Sequence, residues 1–168
     1  DLVRDRLFIP VVYNCGGYER VETIDALKDY VDIWLPDLKY ESSDLSARYS
    51  QAPFYFQTAT KAISQMIRQT GAPKLRTIPG EAAPVMERGV IIRHLVLPGQ
   101  KEDSIRLMHG LADSLPQNSF YISLMSQYTP YEKNPQFPEL NRRITSYEYQ
   151  KVVDAALELG LTQGFMQE

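Results

Sequence analysis

At 168 residues, 43% apolar and 23% charged, the chain is long enough to close one hydrophobic core over most of itself, and a single domain spanning 1–168 is the expectation. Its net charge of −3, without a block of like charges, excludes the basic footprint of a nucleic-acid binder or of a protein drawn to an anionic membrane. A single cysteine, Cys15, excludes an internal disulfide framework and any zinc or iron–sulfur site built from several thiolates of this chain.

Leu7 to Tyr13 is apolar and β-branched, contains Pro10, and runs into the breaker cluster Asn14-Cys15-Gly16-Gly17, which predicts a strand and then a loop. Beyond Val21, the positions Ile24, Leu27 and Val31 follow at spacings of three and four and mark one face of a short helix. Val31 to Leu38 reads as a second strand, and its continuous apolar character predicts burial on both faces, as in parallel strands under helices. Phe56, Thr60, Ile63, Ile67 and Thr70 trace a longer helix from near Pro53 to Gly71, a residue suited to the position after a helix end. Residues 71–88 hold Gly71, Pro73, Pro79, Gly80 and Pro84 with little periodicity and are expected to form an irregular insertion that helps shape the outer mouth of the fold.

A third strand, Gly89 to Leu97, is closed by Pro98-Gly99. The stripe Ile105, Met108, Ala112 and Leu115 predicts a helix from about Glu102, stopped by Pro116. Ser119 to Met125 is the fourth strand, and residues 129–144, with Pro130, Pro135 and Pro138, form a second long irregular loop, again expected at the mouth. The last helix opens on Thr145-Ser146-Tyr147-Glu148, which matches a capping box, and should end at Gly160. Gln163 to Gln167 reads as a fifth strand.

Strands alternating with helices predict a parallel α/β arrangement. Five strands cannot close a TIM-type barrel, which uses eight strands and about 250 residues. The expected fold class is therefore a partial (β/α) TIM-like barrel, about five parallel strands with helices outside, open at one or both edges and forming part of a larger barrel. An unpaired sheet edge is sticky, so self-association through it is a further expectation. The apolar stretch Gly89 to Leu97 is interrupted by Arg93 and His94 and falls far short of the ~20 residues that span a bilayer, so no membrane segment is expected. The start, Asp1-Leu2-Val3-Arg4-Asp5-Arg6, is charged where a signal peptide needs an apolar core, which points to the cytoplasm.

In parallel α/β folds the ligand lies beyond the carboxyl ends of the strands. Here those ends carry Tyr13-Asn14-Cys15-Gly16-Gly17, Pro36-Asp37-Leu38-Lys39, Pro98-Gly99-Gln100, Ser126-Gln127-Tyr128 and Gln167-Glu168. Asp37 and Lys39 are two apart on a strand and share a face, either as a functional charged pair at the mouth or as an ion pair that orients a turn. Arg93 stands in the middle of an apolar strand, where a buried guanidinium needs an anionic partner from protein or ligand. His94 must face the other way and reads as a hydrogen-bonded core residue. Cys15 reads as packing, Gly16-Gly17 as a place where backbone can approach a ligand, and Tyr13, Tyr18, Tyr121, Tyr128 and Tyr131 as core or cavity lining.

Four segments, taken in order and spacing, resemble the radical S-adenosylmethionine (SAM) proteins similar to pyruvate formate-lyase activating enzyme. They are Ile9-Pro10-Val11-Val12-Tyr13-Asn14-Cys15-Gly16-Gly17-Tyr18, Val31-Asp32-Ile33-Trp34-Leu35-Pro36-Asp37-Leu38-Lys39-Tyr40, Val90-Ile91-Ile92-Arg93-His94-Leu95-Val96-Leu97-Pro98-Gly99 and Ser123-Leu124-Met125-Ser126-Gln127-Tyr128-Thr129-Pro130. With the tail from Leu157 to Glu168, the resemblance covers nearly the whole chain and places it in the C-terminal portion of the family's barrel.

The resemblance implies a cytosolic enzyme in which a 4Fe–4S cluster, held by a Cys-x3-Cys-x2-Cys loop, binds SAM and cleaves it reductively to a 5′-deoxyadenosyl radical that abstracts hydrogen from a substrate. In activating enzymes proper that substrate is a glycine of a partner glycyl-radical enzyme, and an electron donor such as flavodoxin supplies the reduction. By motif, Asp37 and Lys39 match an Asp-x-Lys beside bound SAM, and Arg93 matches the arginine of the strand ending in Pro-Gly. Asn14 falls in the loop corresponding to the family's Thr-Asn-Gly turn, and Gln127 or Tyr128 falls where activating enzymes place a histidine.

This sequence departs from the family in lacking the cluster cysteines and the Gly-Gly-Glu that would grip the SAM amine. No catalytic residue, no metal ligand and no tightly bound cofactor is therefore expected within it, and the stretch alone is expected to be inactive. Two rival readings stand beside this one. One is a TIM-type lyase in which Lys39 forms a Schiff base or acts with Asp37 on a carbanion. The other is a noncatalytic binding module.

Overall fold

The computed structural model describes residues 7–166. Its element order is β1 (Val12–Cys15), α1 (Val21–Ala26), β2 (Ile33–Pro36), α2 (Ser43–Ser50), α3 (Tyr55–Thr70), β3 (Lys74–Arg76), β4 (Val85–Leu95), α4 (Lys101–Ser114), β5 (Tyr121–Met125), α5 (Ser146–Glu158) and β6 (Gly164–Met166). Five strands run parallel in the order β1-β2-β4-β5-β6, and β3 pairs antiparallel with β4. This is the open, partial-barrel α/β arrangement expected from the alternation of apolar strands and amphipathic helices. Among the described residues, no helix is long and apolar enough to cross a membrane.

Strand periodicity of two divides the sheet into unlike faces. Trp34, Leu38, Val90, Ile92, His94, Val96, Ile122 and Leu124 are buried. All but His94 join one apolar cluster with the helix stripes Ala59, Ile63 and Met66 of α3, Leu107 and Leu111 of α4, and Val152 and Ala156 of α5. The intervening residues Leu35, Asp37, Ile91, Arg93, Leu95, Ser123 and Met125 are only half-buried. They occupy the face that a closed barrel would turn inward.

The strand and helix expectations hold with shifted ends. β1 lies closer to the glycines than expected, because Pro10 cannot donate to a ladder and pairing begins at Val12 against Ile33. α2 was not expected: its apolar side chains are few, and it is fixed instead by the Ser42 hydroxyl, which accepts from the Leu45 amide. The capping box of α5 is present, with Thr145 and Glu148 each accepting the other's backbone N–H.

Residues 71–88, read as an irregular insertion at the mouth, hold β3 and the first residues of β4 as an antiparallel pair. That pair sits at the N-terminal end of β4, away from the strand ends where Arg93 lies, so it does not shape the mouth. Gly89, at φ +145°, carries β4 from this hairpin into the parallel sheet, and a Cβ there would meet Pro73 at 3.1 Å. Residues 129–144 contain only a short 3-10 turn, Pro138–Leu140. The charged start Asp1 to Arg6 and the terminal Gln167-Glu168 of the expected last strand lie outside the described residues.

Candidate functional site

The carboxyl ends of β1, β2 and β4 bring four sequence-predicted residues, Asn14, Asp37, Lys39 and Arg93, into one cluster. Leu38 N–H donates to the Arg93 carbonyl at 2.8 Å, and Asp37 N–H to the Cys15 carbonyl at 2.9 Å, so the ladder continues past β2 and aligns Asp37 with Arg93. Arg93 Nε and Nη2 donate to Asp37 Oδ1 at 2.9 and 2.6 Å, and Nη2 donates also to Asn14 Oδ1 at 2.8 Å. Lys39 Nζ lies 3.7 Å from Asp37 Oδ2. The buried-cation argument for Arg93 thus finds its protein anion in Asp37. The guanidinium is 26% exposed, however, and the described contacts use only Nε and Nη2, which leaves Nη1 among its five N–H donors for a ligand.

These groups border a cavity of about 380 Å³ lined by Asp37, Lys39, Tyr40, Arg93 and Gln127 above an apolar floor of Leu95, Leu97 and Met125. The lining joins one carboxylate, two cations and an amide to aliphatic surface, which suits a small zwitterionic ligand with an apolar part. A larger cavity, about 480 Å³, lies between Ser126, the start of α5 and Met166, but its lining carries no charged side chain. The polar cavity is therefore the better candidate despite its size.

Gln127 continues the alternation of Ser123 and Met125 and reaches the cavity. Tyr128 does not line it, and its hydroxyl donates to the Leu140 carbonyl at 2.9 Å. Cys15 is half-buried, and burial pushes its thiol up to about 11, far from the thiolate a metal or an electrophile requires. Among the described residues no group of histidine, cysteine and carboxylate side chains is placed to hold a metal ion.

His94 is buried, with Nδ1 2.7 Å from the Leu38 carbonyl and Nε2 2.9 Å from Ser104 Oγ. The carbonyl can only accept, so Nδ1 carries the proton and Nε2 accepts from the hydroxyl. Burial lowers the pKa of the ring and keeps it neutral. The expectation of a satisfied core histidine holds.

Two supports, Tyr55 and Asp103, escaped the sequence reading, and a third residue, Glu148, does more than the capping its spacing predicts. Tyr55, buried at the start of α3, bonds the backbone of both the β1 and β2 ends through its hydroxyl. Asp103, buried in the first turn of α4, accepts from the Glu41 and Ser42 amides at 3.0 and 2.9 Å and fixes the turn after Lys39. Glu148 accepts from the Gly99 amide at 2.8 Å and from both Arg142 terminal nitrogens at 2.8 and 2.7 Å. Arg142 foremost holds its carboxyl well below the usual range. The distant segment 129–144 also crosses to α2, where the Tyr49 hydroxyl donates to Glu139 at 2.6 Å and Arg48 lies over the Tyr49 and Phe137 rings.

The fold and the cluster together define an α/β protein of partial-barrel type with a charged mouth at the strand ends. No family model matches the chain. Over 153 residues it is 28% identical to Uncharacterized protein MJ0674 of Methanocaldococcus jannaschii, a match that covers 91% of this chain and 39% of that protein. The chain thus spans about two fifths of the length of this curated relative. In structure it is similar to a domain of pyruvate-formate lyase-activating enzyme from Bacteroides vulgatus, with a TM-score of 0.59, 17% identity, and coverage of 89% of this chain and 75% of that one. That likeness shows a shared fold.

Proposed function

We propose that this chain is the SAM-holding C-terminal part of a radical SAM enzyme related to pyruvate formate-lyase activating enzymes, with Arg93 as the principal contact for the SAM carboxylate. One observation carries the reading. Arg93 projects from the half-exposed face of β4 into the polar cavity, oriented by Asp37 and Asn14 from the two neighbouring strands and with a donor edge to spare.

A guanidinium so held binds a carboxylate with fixed geometry. Asp37 accepts from Arg93 and stands 3.7 Å from the Lys39 ammonium, so it keeps both cations at the cavity rim and offers an acceptor toward a ligand amine. Leu95, Leu97 and Met125 supply apolar lining beneath them for the rest of the ligand. When bound, a reduced 4Fe–4S cluster supplies the electron that cleaves SAM. This chain's lone half-buried thiol does not fit such a cluster, so its ligands would come from elsewhere in a longer protein. Hydrogen abstraction from a substrate, such as a glycine of a glycyl-radical enzyme, and reduction by a donor such as flavodoxin belong to the same proposal.

The lyase reading fares worse. Lys39 is 44% exposed with a carboxylate beside it, the reverse of the buried or cation-flanked lysine that forms Schiff bases. The test is to express the full reading frame containing this chain anaerobically with iron and sulfide and to measure 5′-deoxyadenosine under reduction. Its formation, lost in Arg93→Ala, is the expected result. A full-length protein that binds no SAM overturns the proposal, and borohydride trapping of a keto acid on Lys39 would support the lyase instead.

A further inference from the structure

The residues that meet at the mouth come from three strand ends, yet the ends of β1 and β2 share a support that none of them supplies. Tyr55 lies on α3, on the helix-covered side of the sheet, and is 3% exposed. Its hydroxyl oxygen stands 2.7 Å from the Gly16 carbonyl and 2.9 Å from the Asp37 carbonyl, which share its proton, and it accepts from the Lys39 amide at 3.2 Å. The Tyr18 ring stacks on one side at 5.8 Å and 6°, and the Tyr40 ring meets it edge-on at 5.7 Å. Both position and direction of the hydroxyl are therefore fixed.

The loop it grips is built for this approach. Gly17, at φ +81°, runs so close that a Cβ would stand 2.0 Å from the Asp37 carbonyl oxygen and 3.1 Å from the Tyr55 hydroxyl. One hydroxyl thus joins the backbone two residues after Asn14 to that of Asp37 and Lys39. Arg93 is hydrogen-bonded to the Asn14 and Asp37 side chains, so its direction depends on that junction.

We propose that Tyr55 is a positioning residue for the Arg93 site, setting through its hydroxyl the spacing of Asn14 and Asp37 that aims the guanidinium at the ligand carboxylate. The ligand belongs to the SAM reading and the inference rests on it there, but the aim of Arg93 is a property of the protein without ligand and is tested without one.

In ¹⁵N-labelled wild-type protein, Arg93 Hε should be a resolved, slowly exchanging resonance, and the Tyr55 hydroxyl proton should show a cross-peak to the Lys39 amide. In Tyr55→Phe the Arg93 Hε resonance should shift and exchange about tenfold faster, the factor that corresponds to one lost hydrogen bond. Val152→Ala, a core truncation on α5, should lower the melting temperature and leave that resonance in place. In the reconstituted full-length protein Tyr55→Phe should raise the Kd for SAM about tenfold at unchanged cluster absorbance, the same free-energy step. An unchanged Arg93 Hε in Tyr55→Phe, or a wild-type protein without the hydroxyl cross-peak, overturns the positioning role. A full-length protein that binds no SAM overturns the SAM reading instead, and leaves the resonance to decide on Tyr55.

Discussion

Arg93 and His94 are consecutive residues of one strand, and they show how differently the two faces of this sheet treat a polar side chain. His94 points under the helices, where it is 1% exposed and each ring nitrogen has one partner, a carbonyl and a hydroxyl. Nothing is left over, so the imidazole joins β4 to the end of β2 and to α4. Arg93 points to the open face, where its partners are side chains that other strand ends hold in place, and part of its donor capacity remains unused. Burial with complete satisfaction makes a structural joint, whereas half-exposure with a surplus donor beside a cavity leaves a group free to meet a ligand.

Substitutions should therefore separate the two neighbours. The largest effect on function is expected for Arg93→Met, which under the proposed SAM reading should lower SAM cleavage by the full-length protein on the order of tenfold to a hundredfold, as loss of a charge-assisted hydrogen bond does. Its urea unfolding midpoint should move little, because the Asp37 it releases stays 22% exposed, beside Lys39. His94→Leu should do the reverse. It strands the Leu38 carbonyl and the Ser104 hydroxyl and should cost about 1–3 kcal/mol in urea unfolding for each buried group left unpaired. A His94→Leu protein with wild-type stability, or an Arg93→Met protein that loses it, would break the comparison.

A smaller effect should appear in acid. Burial lowers the His94 pKa below its ordinary 6.5, so the unfolded chain takes up a proton that the folded one refuses. The stability this group contributes is complete above pH 6.5, and it declines as the pH falls below that value toward the lower folded pKa. Thermal melting between pH 8 and pH 5 should accordingly fall more steeply in wild type than in His94→Gln. Equal slopes would mean that His94 is not held neutral.

Much of the mouth was legible in the sequence, and for a simple reason. A cation in the middle of Val90 to Leu97 must find an anion, and Asp37 and Lys39 two apart on a strand must share a face. The capping box of α5 was legible because its spacing is local. What escaped was long-range or unpatterned. Asp103 looks like any acid in a helix's first turn until Glu41 and Ser42 are folded against it, and Tyr55 looks like core until its hydroxyl is seen. The β3 hairpin is short, exposed and flanked by prolines, so it carries no burial signal, and the Arg48, Tyr49, Glu139 and Phe137 contact joins segments some 90 residues apart.

Gln127 and Tyr128 give the finest version of the same contrast. Both were candidates for the place where activating enzymes carry a histidine, and strand alternation separates them. Gln127 keeps the parity of Ser123 and Met125 and lines the cavity, with Nε2 3.5 Å from Met125 Sδ, while the Tyr128 hydroxyl is committed to the Leu140 carbonyl. Tyr128→Phe removes one half-buried hydrogen bond and should cost about 0.5–1.5 kcal/mol in urea unfolding, with SAM affinity unchanged. Gln127→Ala should leave stability within about 0.5 kcal/mol, since the side chain is exposed, and under the SAM proposal weaken SAM binding a few-fold. If Tyr128→Phe proves the more damaging to binding, segment 129–144 governs access to the cavity through Leu140, and strand parity is the wrong guide to that end of the site.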